Sequence, residues 1–368
     1  MPPSMRTRIG RGNGRRTLIL LIGVVSLAAF LAALVGCDEE APSEIRVSDG
    51  IEECGALSIR ADAGARQVVP PPEGPHAAYD PGLSRKKIPM SLVPAGSFVM
   101  GDTIAACGID ERVITLTRDY HLGRYEITNG QYRDALQWAY NAGLVTATSS
   151  TVKDNLDGST VELLDLNDFD CRISFSDDVF TVDPGMKDHP VIEVSWYGAA
   201  AYCDWLSMRE GKPRAYDHST WLCNGGDPYG AVGYRLPTDA EWEYAARYDD
   251  ERVYPWGDDS PVCELVNAFA GTFCVGATSP VGAYPSAPAT LQLFDMAGNV
   301  MEWCGDWFVC SLGTDPETDP AGPAAGTSRL VRGGGWNSGA DDLRCARRNL
   351  DDPQNTNGNV GFRIARTD

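Results

Sequence analysis

The residues of this 368-residue chain that could do chemistry are its eleven cysteines, four histidines and many carboxylates. Cys37 ends an apolar run and stands apart. The other ten are Cys54, Cys107, Cys171, Cys203, Cys223, Cys263, Cys274, Cys304, Cys310 and Cys345. An even number in an oxidising compartment predicts a framework of up to five disulfides. Cys263–Cys274 and Cys304–Cys310 could each close a small loop, and Cys345 could compete for either of the latter two. No C-x-x-C occurs, which argues against a zinc ribbon or a thioredoxin-type redox pair. His121, His189 and His218 have no mutual ligand spacing and form no helical His-x-x-x-His, so no iron site is expected.

Such residues need elements to hold them, and the composition predicts a loop-rich fold. The chain is 43% hydrophobic and 22% charged, with 39 glycines and 24 prolines. Thr128-Asn129-Gly130-Gln131 is a capping box opening a helix to about Tyr140. Ser195 caps a second helix, in which Ala199, Ala200 and Ala201 permit close packing, to Leu206. Thr238-Asp239-Ala240-Glu241 opens a third. Residues 91–101 read as two short strands around Pro94-Ala95-Gly96. Residues 141–190 are acidic, turn-rich and weakly patterned, and read as an insertion.

The N-terminus carries five arginines and no acid, followed by an apolar run from Leu18 to Gly36. Leu34-Val35-Gly36-Cys37 is similar to a bacterial lipobox, which predicts cleavage of residues 1–36 and lipidation of Cys37. The alternative is an uncleaved membrane helix, since the run is nearly long enough to span a bilayer. Either way the rest is expected in the cell envelope, anchored on the extracytoplasmic side of a bacterial membrane. Residues 37–87, acidic and Pro-rich, read as a flexible tether. Cleavage would move the net charge from −20 to −25, because the five arginines leave with the signal. So acidic a protein lacks the basic footprint of a nucleic-acid binder.

Residues 88–368 contain a set of motifs in one order. They include Val93-Pro94-Ala95-Gly96-Ser97-Phe98, Tyr125-Glu126-Ile127-Thr128-Asn129 and Gly233-Tyr234-Arg235-Leu236-Pro237-Thr238-Asp239-Ala240-Glu241-Trp242-Glu243. Tyr254-Pro255-Trp256-Gly257 and Asp295-Met296-Ala297-Gly298-Asn299-Val300-Met301-Glu302-Trp303 follow. Arg332-Gly333-Gly334-Gly335-Trp336 and Asn359-Val360-Gly361-Phe362-Arg363 complete the set. This resembles the formylglycine-generating (sulfatase-modifying factor) family. The resemblance implies an α+β fold of the formylglycine-generating-enzyme type, C-type-lectin-like, with irregular structure around two small sheets. It also implies calcium at the segment matching Asp295 to Glu302, with carboxylates from Asp295 and Glu302 and carbonyls from Gly298 and Val300. The competing expectation is that Glu302 pairs with Arg344, Arg347 or Arg348 while Asp295 caps a turn.

The resemblance stops at the chemistry. Active members convert a sulfatase cysteine to formylglycine with two cysteines placed after the Gly-Gly-Ser-aromatic motif. Here Gly335 replaces that serine, and Asn337-Ser338-Gly339-Ala340-Asp341-Asp342-Leu343 holds no cysteine. No copper is therefore expected. Trp336, Asn337 and Ser338 border the cleft that the resemblance implies. The expected function is a non-catalytic module binding a peptide, glycan or envelope protein. The alternative is an oxidoreductase acting on a substrate cysteine through thiols recruited from elsewhere, such as Cys304 and Cys310.

Overall fold

The computed structural model describes residues 87–103, 111–248 and 250–367. The expected signal, all but the last residue of the expected tether, and Cys37, Cys54 and Cys107 lie outside the described residues. Three helices begin where a hydroxyl can satisfy free backbone N–H groups. Helix α1 (Asn129–Asn141) starts at a Thr128–Gln131 capping box and buries Tyr132, Ala135, Leu136 and Ala139, one helical face. Helix α2 (Trp196–Arg209) starts at Ser195, whose hydroxyl accepts from Gly198 N–H. A Cβ at Gly198 would lie 2.0 Å from the Leu163 carbonyl oxygen, so only glycine lets the helix press on that strand. Helix α3 (Asp239–Ala246) starts at a Thr238–Glu241 box, and every one of its residues is buried.

Among the described residues the strands are short and pair into six small sheets rather than the two expected. β1 (Met90–Val93), β2 (Gly96–Met100), β3 (Arg112–Leu116) and β4 (Tyr120–Gly123) open the domain. β1 and β2 flank the Pro94-Ala95 turn but enter different sheets: β1 pairs with β4, and β2 with β3. β5 (Val145–Ala147), β6 (Thr151–Asp154) and β7 (Glu162–Asp165) form a three-stranded antiparallel sheet, followed by the hairpin of β8 (Ile173–Ser176) and β9 (Val179–Val182). The region read as a weakly patterned insertion is thus built into the fold. Val152, Leu163, Leu164 and Phe180 are fully buried in one core cluster with α1 and α2. Beyond β10 (Tyr216–Asp217) and β11 (Leu222–Cys223) comes the longest strand, β12 (Met301–Trp307). After β13 (Glu317–Thr318), it is flanked antiparallel by β14 (Arg329–Arg332) and parallel by β16 (Val360–Gly361); β15 (Asn349–Asp351) extends that sheet, and β17 (Ala365–Thr367) joins β4.

Buried ion pairs tie α3 to this sheet. Arg235 makes a two-pronged contact with Glu241 at 2.6 and 2.7 Å. Arg332 lies 2.9 Å from Asp239 and 2.5 Å from Glu243. Arg348 donates to the other Asp239 oxygen at 2.7 Å. Arg363 grips both Glu302 oxygens at 2.6 Å, and Trp242 Nε1 donates to one of them at 2.8 Å. Such pairs add little net stability over an apolar core. Losing one partner, however, strands a buried charge.

A further ionic contact fastens the β5–β9 region. His218 sits buried between Asp154 on β6 and Asp204 on α2, at 2.8 and 3.2 Å. Burial pushes the imidazole down, but hydrogen bonds to both carboxylates outweigh it and raise the His218 pKa to about 9. Burial also raises Asp204. The two flanking carboxylates make the imidazolium the favoured state.

Candidate functional site

The candidate site is built from the turn that follows β14. Gly333 and Gly334 have φ of 84° and 69°, a conformation only glycine adopts without strain, and they reverse the chain towards the surface. Trp336 is then fixed at both ends: its backbone N–H donates to Asn299 O at 2.8 Å, and its indole Nε1 to Gly358 O at 3.0 Å. The ring is half-buried. Asn337 is exposed, and its Oδ1 accepts from Asn359 Nδ2 at 3.0 Å. Ser338 is buried, with its Oγ accepting from Gly335 N–H at 3.0 Å. Of the three cleft candidates, Ser338 therefore serves the turn. A Cβ at Gly335 would lie 3.0 Å from Asn359 O, so this turn also favours glycine where the family motif has serine.

The Cys263–Cys274 disulfide closes a loop beside Trp336. Phe269 N–H donates to Ser338 O at 2.9 Å, tying that loop to the turn. The loop presents Phe269 and Phe273, which are 41% and 53% exposed. Their ring centroids are 5.1 Å apart, and Phe273 lies 6.0 Å from Trp336. These rings are gathered at the surface rather than packed in a core.

Across Gly358 the character changes to acidic. Asp168, Asp170 and Glu193 place one oxygen each within 4.8 Å of one another, the one such group among the described residues. A Cβ at Gly358 would come within 2.9 Å of Asp170 Oδ2 and 3.2 Å of Glu193 Oε1, so the same glycine that accepts the Trp336 indole touches these carboxylates. Burial, then the neighbouring charge of Asp168, raises Glu193 to about 7. Arg172 offsets part of this charge through Asp170 at 3.4 Å. Phe169, between the two aspartates, is 86% exposed. None of these residues was singled out in the sequence. The signal available was the Asp165-Leu166-Asn167-Asp168-Phe169-Asp170 run inside the supposed insertion.

The remaining expected site residues lie elsewhere. Glu302 pairs with Arg363 rather than with Arg344, Arg347 or Arg348, and Arg348 pairs with Asp239 instead. Asp295 Oδ2 accepts from Gly282 N–H at 2.6 Å. Gly298 has φ of 75°, and a Cβ there would meet Val266 at 2.3 Å, so its glycine is required by packing. Val300 N–H donates to Glu126, whose other oxygen accepts from Asn299 Nδ2. Burial and the charges of Asp295 and Glu302 raise Glu126 well above its usual range; burial raises Asp295 to about 6. Three carboxylates thus share one guanidinium, although their oxygens do not converge within 4.8 Å of one another as those of Asp168, Asp170 and Glu193 do. Glu302 has little to offer a cation, because Arg363 and Trp242 already occupy its oxygens.

The cysteine framework needs correction. Among the described residues Cys171, Cys203, Cys223, Cys304 and Cys345 are free thiols, while Cys310 is disulfide-bonded. A Cys304–Cys310 bridge does not form: β12 turns Cys304 into the core, where it is fully buried, while Cys310 lies exposed beyond the strand end. Cys345 is likewise fully buried, its thiol donating to Ala246 O. Burial raises both thiols well above their ordinary value. Thiols held in this form are poor nucleophiles and poor metal ligands.

A family profile described as "Sulfatase-modifying factor enzyme 1-like domain" matches residues 81–368. The formylglycine-generating enzyme of Streptomyces coelicolor is 29% identical over 323 residues, covering 79% of this chain and 94% of that protein. The serine/threonine-protein kinase pkn1 of Chlamydia caviae is 36% identical over 201 residues, 54% of this chain but only 27% of the kinase. Among solved structures, Treponema denticola variable protein 1 superposes with a TM-score of 0.57 at 23% identity, covering 76% of this chain and 95% of its own. That likeness is one of fold, α+β with many short strands.

Proposed function

The chain belongs to the sulfatase-modifying factor enzyme 1-like family, and from that premise we propose that it is a non-catalytic binding module that recognises a cationic segment of a partner polypeptide. The observation carrying this is the joining of two surfaces at Gly358: aromatic Trp336 and Phe273 on one side, acidic Asp168, Asp170 and Glu193 on the other. Lysine and arginine side chains bring both a cationic head for the carboxylates and the ring faces, and an apolar stem for the phenylalanines. Residues 337–343, where active relatives carry their thiol pair, contribute no sulfur.

The test is calorimetric titration with a short lysine- and arginine-rich peptide and with the same peptide bearing glutamates instead. The basic peptide should bind, Trp336→Ala should weaken it at least tenfold, and Asp170→Asn should reduce its salt dependence. Equal binding of the acidic peptide, or an unaffected Trp336→Ala variant, would sink the reading.

A second reading, an oxidoreductase acting on a substrate cysteine, draws on one observation. The Cys263–Cys274 bridge adjoins Phe273, which faces Trp336. Calcium belongs to our proposal as a structural ion. Asp295 and the Gly298 and Val300 carbonyls would hold it, with Glu302 adding at most one oxygen, and its charge would neutralise the Glu126–Asp295–Glu302 cluster. We also place the protein on a membrane through acylated Cys37. Cys37→Ser should abolish incorporation of labelled fatty acid, and undiminished labelling would contradict the anchor.

A further inference from the structure

A second site lies between α2, the β10–β11 segment and the end of β12, and shares no residue with the Trp336 face. It is a cavity of about 280 Å³, walled by Trp196, Tyr216, Trp221 and Trp307, with Arg329 and Asp306 as its charged groups. Arg329 is only 5% exposed, yet no carboxylate among the described residues lies within ion-pair distance of it. What holds it is a stack: its guanidinium carbon sits 3.7 Å from the Trp196 ring centroid and 3.5 Å from that of Trp307. Both faces of the guanidinium are thereby covered, and only its edges can hydrogen-bond.

Those edges are not all used. Nη1 donates to Gly305 O at 2.6 Å. Nε is buried and has no acceptor. Nη2 has none among the described residues either. Nε and Nη2 together make the side-on fork of a guanidinium, which matches the two oxygens of a carboxylate. Asp306 does not fill that role. One of its oxygens accepts from Asp239 N–H at 2.8 Å, and the other packs against Gly322. Burial and the charge of Asp239 also raise its pKa to about 7, so it brings less than a full negative charge at neutral pH. Burial likewise lowers Arg329 to about 10, and the nearby charges, Asp306 among them, offset only part of that cost.

A buried cation costs stability unless something pairs with it, and two indoles return only part of that cost. We infer that this cavity binds a small planar aromatic carboxylate, its ring against the tryptophan walls and its carboxylate on the Nε–Nη2 edge of Arg329. The volume sets the size. It lies just below the range of roughly 300–1,000 Å³ that takes drug-sized ligands, so one mono- or bicyclic ring is the limit.

The test uses the full chain, with naphthalene-2-carboxylate as probe and the uncharged, nearly isosteric naphthalene-2-carboxamide as control, followed by calorimetry. The carboxylate should bind at least tenfold more tightly than the amide. Arg329→Gln should erase that preference. Ala324→Trp, which adds an indole at the exposed rim of the cavity, should block both compounds while leaving the melting temperature unchanged. If Arg329→Gln does not fold, the wild-type preference and the Ala324→Trp block decide the matter together. Equal affinity for carboxylate and amide, no carboxylate binding at millimolar concentration, or undiminished binding by Ala324→Trp would overturn the assignment.

Discussion

Two regions of this molecule use charge in opposite ways. Around α3, β12 and β14, each buried carboxylate of Asp239, Glu241, Glu243 and Glu302 meets a guanidinium at 2.9 Å or less. Around Gly358, Asp168, Asp170 and Glu193 gather with one ion pair among the described residues, Arg172 to Asp170, beside exposed rings. The first arrangement is closed: its charges are satisfied internally, and its residues supply the motifs by which the family is recognised. The second is open, and its acidic half comes from loops and short strands outside those motifs, while Trp336 lies within one. Family membership therefore reports the frame, and the binding function proposed for this chain rests on the face.

The comparison breaks most readily at the frame. Arg363→Met leaves Glu302 buried with only the Trp242 indole, and should cost about 3–5 kcal/mol in urea denaturation. Asn337→Ala on the face should change stability by less than about 0.5 kcal/mol. Similar losses at the two positions would erase the distinction.

The His218 contact gives the next effect, on the order of 3 kcal/mol. Its folded pKa of about 9 lies above the ordinary histidine value of 6.5. The folded state therefore holds the proton more tightly, and the contribution is complete below pH 6.5. It should be lost as pH rises through 9. His218→Asn should lie below wild type at pH 6 and flatten the stability curve between pH 6.5 and 9; a wild-type curve already flat there would refute the charged triad.

Opening the Cys263–Cys274 bridge with serines frees an 11-residue separation and should cost about 2–3 kcal/mol. The sharper readout is on the face. Losing the bridge loosens Phe269 and Phe273, so basic-peptide binding should weaken by more than the stability loss alone explains. Unchanged affinity would remove the loop from the site. Calcium gives the smallest effect. At tenfold its dissociation constant it should add about 1.4 kcal/mol, seen as a rise in melting temperature that Asp295→Asn abolishes. A melt indifferent to chelator would remove calcium from the account.

What was legible in the sequence was local. The three caps at Thr128, Ser195 and Thr238 lie next to the residues they satisfy, and all three helices begin where they predict. Long-range partners were not legible. Glu302 finds Arg363 across 61 residues rather than the nearer arginines at 344–348. Cys304 and Cys310, six apart, are separated by the inside and outside of a strand end. Apart from the seven-residue β12, strands of two to five residues carry too little alternation to announce six sheets, and the same brevity hid β5–β9. That is why the acidic half of the site went unread while Trp336, inside a motif, was found.

The central claim is that the face binds without thiol chemistry. It is tested most directly by incubating the protein with a sulfatase-type cysteine peptide, copper, oxygen and a thiol reductant, and weighing the peptide by mass spectrometry. The account predicts unmodified peptide. Its chemical ground is that Cys304 and Cys345 are buried thiols and residues 337–343 carry none. Formylglycine in the product, lost when Cys263, Cys274, Cys304 or Cys345 is replaced by serine, would contradict it.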